Sequence, residues 1–492
     1  MTSLPVAIIG AGPIGLAAAA HLRARGAEAV VLEAGPAVGH AVRQWGHVGM
    51  FTPWRWCVDR AAEALLRSTG WTAPPADDVP TGADLVTRYL EPLAAALAPA
   101  VRLGTRVTAV TRRHADKVQS AGRESLPFVL RTRGPDGRVG TLEARAVIDA
   151  SGTWATPNPM GSDGLPAIGE ETVADRIQTG IPDIIGTARH RHAGRTTAVV
   201  GGGHSAINVL LELAALREAA PGTEIVWIMR KARVSDAFGG EAADALAQRG
   251  ALGSRARALV ESGAITVRTP FRIDAVAPVA GRIRISGEQA GAPAELVADE
   301  IVVATGFRPD LSPLREIRLS LDPWLECAAA LGPLIDPNLH SCGTVRPHGA
   351  RELAHPDPGF YIAGMKSYGR APTFLLATGH EQVRSIAAAL TGDAAAAARV
   401  ELDLPETGVC NATPALRDAA GARSGLAAAE ACCAPAATAC CPSEPAPAAT
   451  ACCTPAPAPA ATACCTPAPA PAATGCCTPA QTTRRATEET LA

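Results

Sequence analysis

One short design occurs twice in this chain, and it limits most of what the rest can be. Its first copy is Val6-Ala-Ile-Ile-Gly10-Ala-Gly12-Pro-Ile-Gly15. Four consecutive apolar residues read as a parallel strand buried on both faces, since a strand with one wet face alternates polar and apolar residues. Gly10 permits a tight turn, Gly12 presents no Cβ where a pyrophosphate would approach, and Gly15 lets the next helix pack close to the strand. Leu16 to Arg25 reads as an Ala-rich helix whose free N-terminal N–H groups face that pyrophosphate. The following strand, Ala29-Val-Val-Leu-Glu33, ends in an acid placed to bind a ribose hydroxyl pair. A glycine-rich turn alone is a weak signal. Here strand, glycines, helix, second strand and terminal acid all agree on a dinucleotide site.

The second copy is Thr196-Thr-Ala-Val-Val-Gly201-Gly-Gly203-His-Ser205-Ala206, with Ala206 in place of the third glycine. Its helix extends to about Glu218, and the next strand, Glu224-Ile-Val-Trp-Ile-Met229, is followed by Arg230-Lys231 where the first copy has Glu33. A carboxylate suits a free ribose 2′-hydroxyl, whereas a guanidinium or ammonium suits a 2′-phosphate. The first site therefore reads as an FAD site and the second as an NADPH site. The alternative for Arg230-Lys231 is an ordinary surface pair.

Between the two copies, a Gly/Pro-punctuated loop carries His40, Arg43, Gln44, Trp45 and His47, then Trp54 and Trp56. Three of the chain's seven tryptophans fall in this short span. Such a wall would stack on a flavin ring or hydrogen-bond to it, or the indoles simply anchor a surface loop. Helices are expected over 57–70 and 82–97, and strands over Val101–Val110, Phe128–Arg133 and Thr141–Asp149. A Pro-rich crossover follows at Ala155–Pro166. After the second copy, strands are expected near Ile265–Arg268, Phe271–Val276 and Arg282–Ser286, and Glu300-Ile-Val-Val-Ala-Thr-Gly306-Phe closes the insertion. Asp357 to Gly364 returns to the first domain, and Ala371-Pro-Thr373-Phe374 leads into a helix ending near Leu390, its N-terminus aimed at the flavin ring. The expected fold is α/β, with two Rossmann-like domains. An FAD domain (1–165 and 301–392) is split by an inserted NADPH domain (190–300), followed by a linker (393–430) and a tail (431–492).

Near-equal numbers of basic and acidic residues, 45 against 47, argue against a general nucleic-acid or membrane-surface role. No apolar stretch approaches the ~20 residues that span a bilayer. The first strand starts by Pro5, so no cationic targeting segment is expected, and the reading is cytoplasmic. Of 14 cysteines, four (Cys57, Cys327, Cys342 and Cys410) are scattered through the body with no C-x-x-C spacing. The other ten form five adjacent pairs: Cys432 with Cys433, Cys440 with Cys441, Cys452 with Cys453, Cys464 with Cys465, and Cys476 with Cys477. They lie in an Ala/Pro/Thr repeat too poor in large apolar side chains to bury a core, so an extended, disordered tail is expected. Adjacent thiols suit soft ions such as trivalent arsenic; a thiol relay and an inert repeat remain the alternatives.

The two ordered fingerprints, the Ala-Thr-Gly-Phe stretch and the Pro-Thr-Phe-Leu-Leu-Ala-Thr-Gly stretch resemble the flavin-containing monooxygenase superfamily over roughly residues 5–390. Within it the chain is most similar to flavoprotein monooxygenases found beside arsenic-resistance genes. The resemblance implies an enzyme that takes electrons from NADPH into FAD and uses oxygen on a soft nucleophile, here a small molecule or metalloid. It assigns Gly10, Gly12, Gly15 and Glu33 to FAD and Gly201, Gly203, Ser205 and Ala206 to NADP. Arg230 and Lys231 join the second set, Gly364 the first, and Arg43, Gln44, Trp45, Thr373 and Phe374 stand as candidates at the ring. Two departures stand out. The superfamily's Phe-x-Gly-x-x-x-His appears as Ile184-Ile-Gly186-Thr-Ala-Arg-His190, without its leading aromatic, although Arg189, His190, Arg191 and His192 form a cationic cluster there. Gly364 is followed by Met365, not by the Asp of disulfide-reductase relatives. An NADPH-dependent disulfide or metal-ion reductase using a tail dithiol, and a metalloid-binding protein with a non-catalytic flavin domain, are the competing readings.

Overall fold

The computed structural model describes residues 4–402 apart from 245, 341–346 and 373. Thr373, Cys342 and Cys410, each named above, lie outside the described residues. So do all ten candidate soft-ion ligands of the tail: Cys432, Cys433, Cys440, Cys441, Cys452, Cys453, Cys464, Cys465, Cys476 and Cys477.

Val6–Ile9 sits at the centre of a five-stranded sheet, fully buried on both faces as its apolar run requires. The order across the sheet is Phe360–Ile362, Ala146–Asp149, Val6–Ile9, Ala29–Leu32 and Val101–Arg102, every neighbour parallel. Ile9 is in register with both Leu32 and Asp149, and Asp149 with Ile362. The carboxyl ends of four strands therefore reach one edge, which is where an open α/β sheet binds ligands. The strand Phe360–Ile362 arrives only after the chain has built a second sheet, so the first domain is split as expected.

The second sheet repeats the plan, with Thr266–Arg268, Glu224–Ile228, Thr196–Val200, Glu300–Val303 and Ile177–Thr179 in that order, again all parallel. It draws one edge strand from before residue 190 and a central strand from 300–303. The edge strand has three residues around a polar Gln178, too few for periodicity to mark it. Each sheet carries a three-stranded antiparallel companion: Arg106–Arg112, Phe128–Arg133 and Val139–Ala144 in one, Phe271–Val279, Arg282–Gln289 and Ala292–Ala298 in the other. The single strand expected over Val101–Val110 is thus two strands in two sheets. The helix Ala247–Glu261 is not legible in the sequence, because Gly250 and Gly253 lower its propensity.

Three helices matter for the site: α1 (Pro13–Ala24), α2 (His204–Ala219) and α3 (Leu376–Leu390). α1 begins three residues earlier than expected, because a proline costs nothing at the first helical position, where its missing N–H would be unpaired anyway. Leu16, Ala17 to Ala20 and Leu22 of α1 share one core with Val383, Ile386 and Ala387 of α3. α2 buries Ile207, Leu210, Leu213 and Leu216 with Val199, Trp227 and Val302. Each such aliphatic side chain contributes roughly 1.5–3 kcal/mol on burial. The returning segment is pinned by a buried fork, with Arg123 Nε and Nη2 donating to Asp357 Oδ1 and Oδ2 at 3.1 and 3.0 Å. No helix of the described residues is long and apolar enough to cross a membrane.

Candidate cofactor sites and the junction between them

At the first turn, Gly10 has φ +101°, and a Cβ there would come within 2.8 Å of the Ala150 carbonyl oxygen. A Cβ on Gly15 would meet the Gly10 carbonyl oxygen at 1.9 Å, so α1 can approach the strand only with glycine at this position. Gly12 faces open space, with no atom within 4 Å of where a Cβ would stand. α1 opens without a side-chain cap, leaving its first-turn N–H groups for a ligand. Glu33 is nearly buried, and its Oε2 and Oε1 accept N–H bonds from Ala11 (2.7 Å) and Gly35 (2.8 Å). These bonds lock the carboxylate at the strand end while each oxygen keeps a lone pair for a ribose hydroxyl. Gly364 backs onto Ile14 of α1, and its N–H donates to Gln382 Oε1 of α3 at 2.8 Å.

The second turn has the same form. Gly201 has φ +135°, and a Cβ there would meet the Ala304 carbonyl oxygen at 2.3 Å. Gly203 opens to space, and α2 starts after it with no side-chain cap. Ser205 is half-buried on the first turn of α2, and Ala206 is buried in the core, where a larger residue would press on the sheet. The Trp227 indole N–H donates to the Gly201 carbonyl at 2.7 Å, fixing the turn from below. Lys231 lies across the turn, since a Cβ on Gly202 would touch its Cδ and Cε at 3.4 Å, and its Nζ donates to the Asp236 carbonyl at 2.6 Å. Arg230 is exposed beside it. The cationic cluster expected over Arg189–His192 is dispersed. Arg191 pairs with Glu300, His192 is fully buried, and Arg189 and His190 face solvent.

The two dinucleotide domains meet at an aromatic stack. Trp154 and Phe307, one from each crossover, stack with centroids 4.7 Å apart, and Trp45 lies 6.5 Å from Trp154. The Trp154 indole N–H donates to Gln44 Oε1 at 2.9 Å. The crossovers are also joined by Thr305 Oγ1 donating to the Asn158 carbonyl at 2.8 Å. Gln44 and Trp45 are therefore brought to the junction, whereas Arg43 is drawn away to Glu91 and the Val38 carbonyl. Phe374 sits at the head of α3, edge-on to Tyr368 at 5.1 Å and against Gly379. Trp154 and Phe307 are visible in the sequence only as members of their segments; nothing local marks them as partners.

Sequence reasoning also misses a buried ion pair at the same sheet edge. Lys366 Nζ donates to Asp149 Oδ2 at 2.7 Å and to Ser151 Oγ at 3.1 Å, and both charged side chains are almost fully buried. Asp149 Oδ1 accepts from the Ser151 hydroxyl at 2.6 Å, so the turn abutting Gly10 is held by charge-assisted bonds. Gln382, also buried, joins Gly364 to Ser367 and His348. The described residues contain the free thiols Cys57 and Cys327 alone, and burial pushes each up to about 12. Neither is a nucleophile at neutral pH.

Two glycine-rich turns, each at the carboxyl edge of a parallel sheet, with uncapped helices and an aromatic junction between them, define a two-dinucleotide flavoprotein oxidoreductase. The open spaces at Gly12 and Gly203 and the acid at Glu33 fit such ligands. The chain belongs to the pyridine nucleotide-disulphide oxidoreductase family, whose model matches residues 7–329. It is an oxidoreductase with FAD and NADP(H) as cofactors. It is similar to ferredoxin–NADP reductase 2 of Latilactobacillus sakei subsp. sakei (strain 23K), 27% identical over 320 residues, covering 64% of this chain and 77% of that protein. Among solved structures, bacillithiol disulfide reductase Bdr from Bacillus cereus shares the fold with a TM-score of 0.60 and 18% identity, over 80% of this chain and 99% of that one. A variant flavin monooxygenase from Stenotrophomonas maltophilia does so with a TM-score of 0.52 and 22% identity, over 80% and 99%.

Proposed function

We propose that this chain is an FAD- and NADPH-dependent monooxygenase acting on a soft nucleophile, with trivalent arsenic or an organoarsenical as the substrate class. The observation that carries the reading is the absence, among the described residues, of any dithiol at the junction. Cys57 and Cys327 are buried and protonated, so no disulfide among the described residues stands at the junction to take the electrons. When bound, the flavin would accept two electrons from the nicotinamide and pass them to oxygen. The balance is substrate plus O2, NADPH and a proton giving oxygenated substrate, NADP+ and water.

The chain's own residues would position and shield. Gly12 would leave room for FAD at the start of α1, Gly10, Gly15 and Gly364 would let the turn, helix and return segment pack closely around it, and Glu33 would take its ribose. Gly203 would leave room for NADPH before α2, Gly201 and Ala206 would keep turn and helix against the sheet, and Ser205 on the first turn of α2 would join them, with Arg230 and Lys231 on the 2′-phosphate. Gln44, Trp45, Trp154 and Phe307 would wall the junction against water. Phe374, with the uncapped start of α3, would face the ring and favour negative charge on it. The NADPH-binding part would extend from the strand Ile177–Thr179 to the strand Glu300–Val303.

The five thiol pairs of the tail, from Cys432 and Cys433 to Cys476 and Cys477, would hold the soft ion at high effective concentration by tethering it to the enzyme. They also favour a second reading, an NADPH-dependent reductase in which one pair serves as a mobile dithiol, in keeping with the reductase names among similar proteins. Oxygen separates the two. With FAD-loaded protein, NADPH and arsenite, oxidised product should form in air and cease under argon; NADPH consumption under argon that depends on an added low-molecular-weight disulfide favours the reductase.

A further inference from the structure

The loop that brings Gln44 and Trp45 to the junction also carries His47, and His47 meets two carboxylates of the second domain. Its Nε2 lies 3.5 Å from Glu212 Oε1, on α2, and one ligand atom each of His47, Asp183 and Glu212 falls within 4.8 Å of the others. His47 Nε2 is itself shut off from solvent and has no hydrogen-bond partner. At 3.5 Å it is too far from Glu212 for a good hydrogen bond, which prefers roughly 2.7–3.2 Å. Two ligands bound at about 2.0–2.1 Å to one tetrahedral ion stand about 3.4 Å apart. The His47–Glu212 spacing is that of co-ligands.

Both carboxylates are also oriented from behind, as metal ligands usually are. Asp183 accepts N–H bonds from Gly186 and Thr187 at 2.9 Å, and Glu212 Oε2 accepts the Ile184 N–H at 3.0 Å. Gly186 has no room for a side chain, because a Cβ there would meet Asp183 Oδ2 at 2.2 Å.

We propose that His47, Asp183 and Glu212 form a divalent-metal site of the zinc type, with one N and two O ligands and an open fourth position for water. The ion would tie the cofactor-junction loop of the first domain to α2 of the second. It lies in the described body and uses none of the tail's thiol pairs.

The test uses the full-length, FAD-loaded chain with its accessible thiols alkylated, so that thiolates do not compete for metal. Zinc titration by calorimetry should show one equivalent bound, and His47→Gln and Glu212→Gln should each weaken binding at least tenfold while flavin content is unchanged. Cobalt added to the alkylated wild type should give visible bands of a tetrahedral N/O site without sulfur charge-transfer absorption, a readout independent of any variant. Absence of stoichiometric zinc binding, or wild-type affinity retained in either variant, overturns the proposal.

Discussion

His192 shows how far one residue can depart from its apparent role. It reads as part of a cationic run, yet it is fully buried, with Nδ1 2.9 Å from Thr197 Oγ1 and Nε2 2.8 Å from Gln178 Oε1. A neutral ring with its proton on Nε2 satisfies both partners. Burial, with Arg191, Arg195 and His190 adding repulsion, lowers its pKa to about 4. The unfolded chain therefore takes up a proton near 6.5 that the folded chain refuses until about pH 4, and stability falls as pH drops through that window. The loss attached to His192 should reach roughly 2 kcal/mol at pH 5. Thermal melts at pH 7.5 and 5 should show a smaller difference for His192→Gln than for the wild type. At the second turn, replacing Arg230 and Lys231 by alanine should raise the KM for NADPH on the order of tenfold or more, about 1.4 kcal/mol, and change that for NADH much less. Steady-state kinetics with both coenzymes checks this, and equal effects would make the pair a surface feature.

Among elements, the return strand Phe360–Ile362 depends on a contact no local pattern reveals. Asp357, just before it, receives the fork of Arg123 from the turn that precedes the strand Phe128–Arg133, both side chains almost fully buried. Arg123→Met removes that fork and should cost about 3–5 kcal/mol, as measured by urea unfolding. The legible elements are those with a local reason. Val6–Ile9, Thr196–Val200 and the glycines after them announce themselves through burial and turn geometry. The strand Ile177–Thr179 and the helix Ala247–Glu261 do not, because tertiary packing overrides their weak local signals. At the site, the acid at Glu33 and the basic pair at Arg230-Lys231 are legible from type and spacing. The Lys366–Asp149 pair and the Trp154–Phe307 stack are not, since each joins residues distant in sequence.

For the whole molecule, the proposed function gives the handling of electrons to the two dinucleotide domains and the capture of substrate to the thiol-rich tail. Truncation after residue 430 should therefore abolish stoichiometric As(III) binding yet leave FAD bound, as read by equilibrium dialysis and the flavin spectrum. Unchanged arsenite binding would remove the tail from the account. The central claim, that electrons from NADPH end on oxygen, rests on the lack of a usable thiol pair among the described residues. The most direct test is turnover of the FAD-loaded chain with NADPH and arsenite or an organoarsenical under 18O2, followed by mass spectrometry of the product under conditions that prevent exchange with water. The account predicts one labelled oxygen atom per product molecule and no product without oxygen. Unlabelled product, or the same yield under argon, would contradict it.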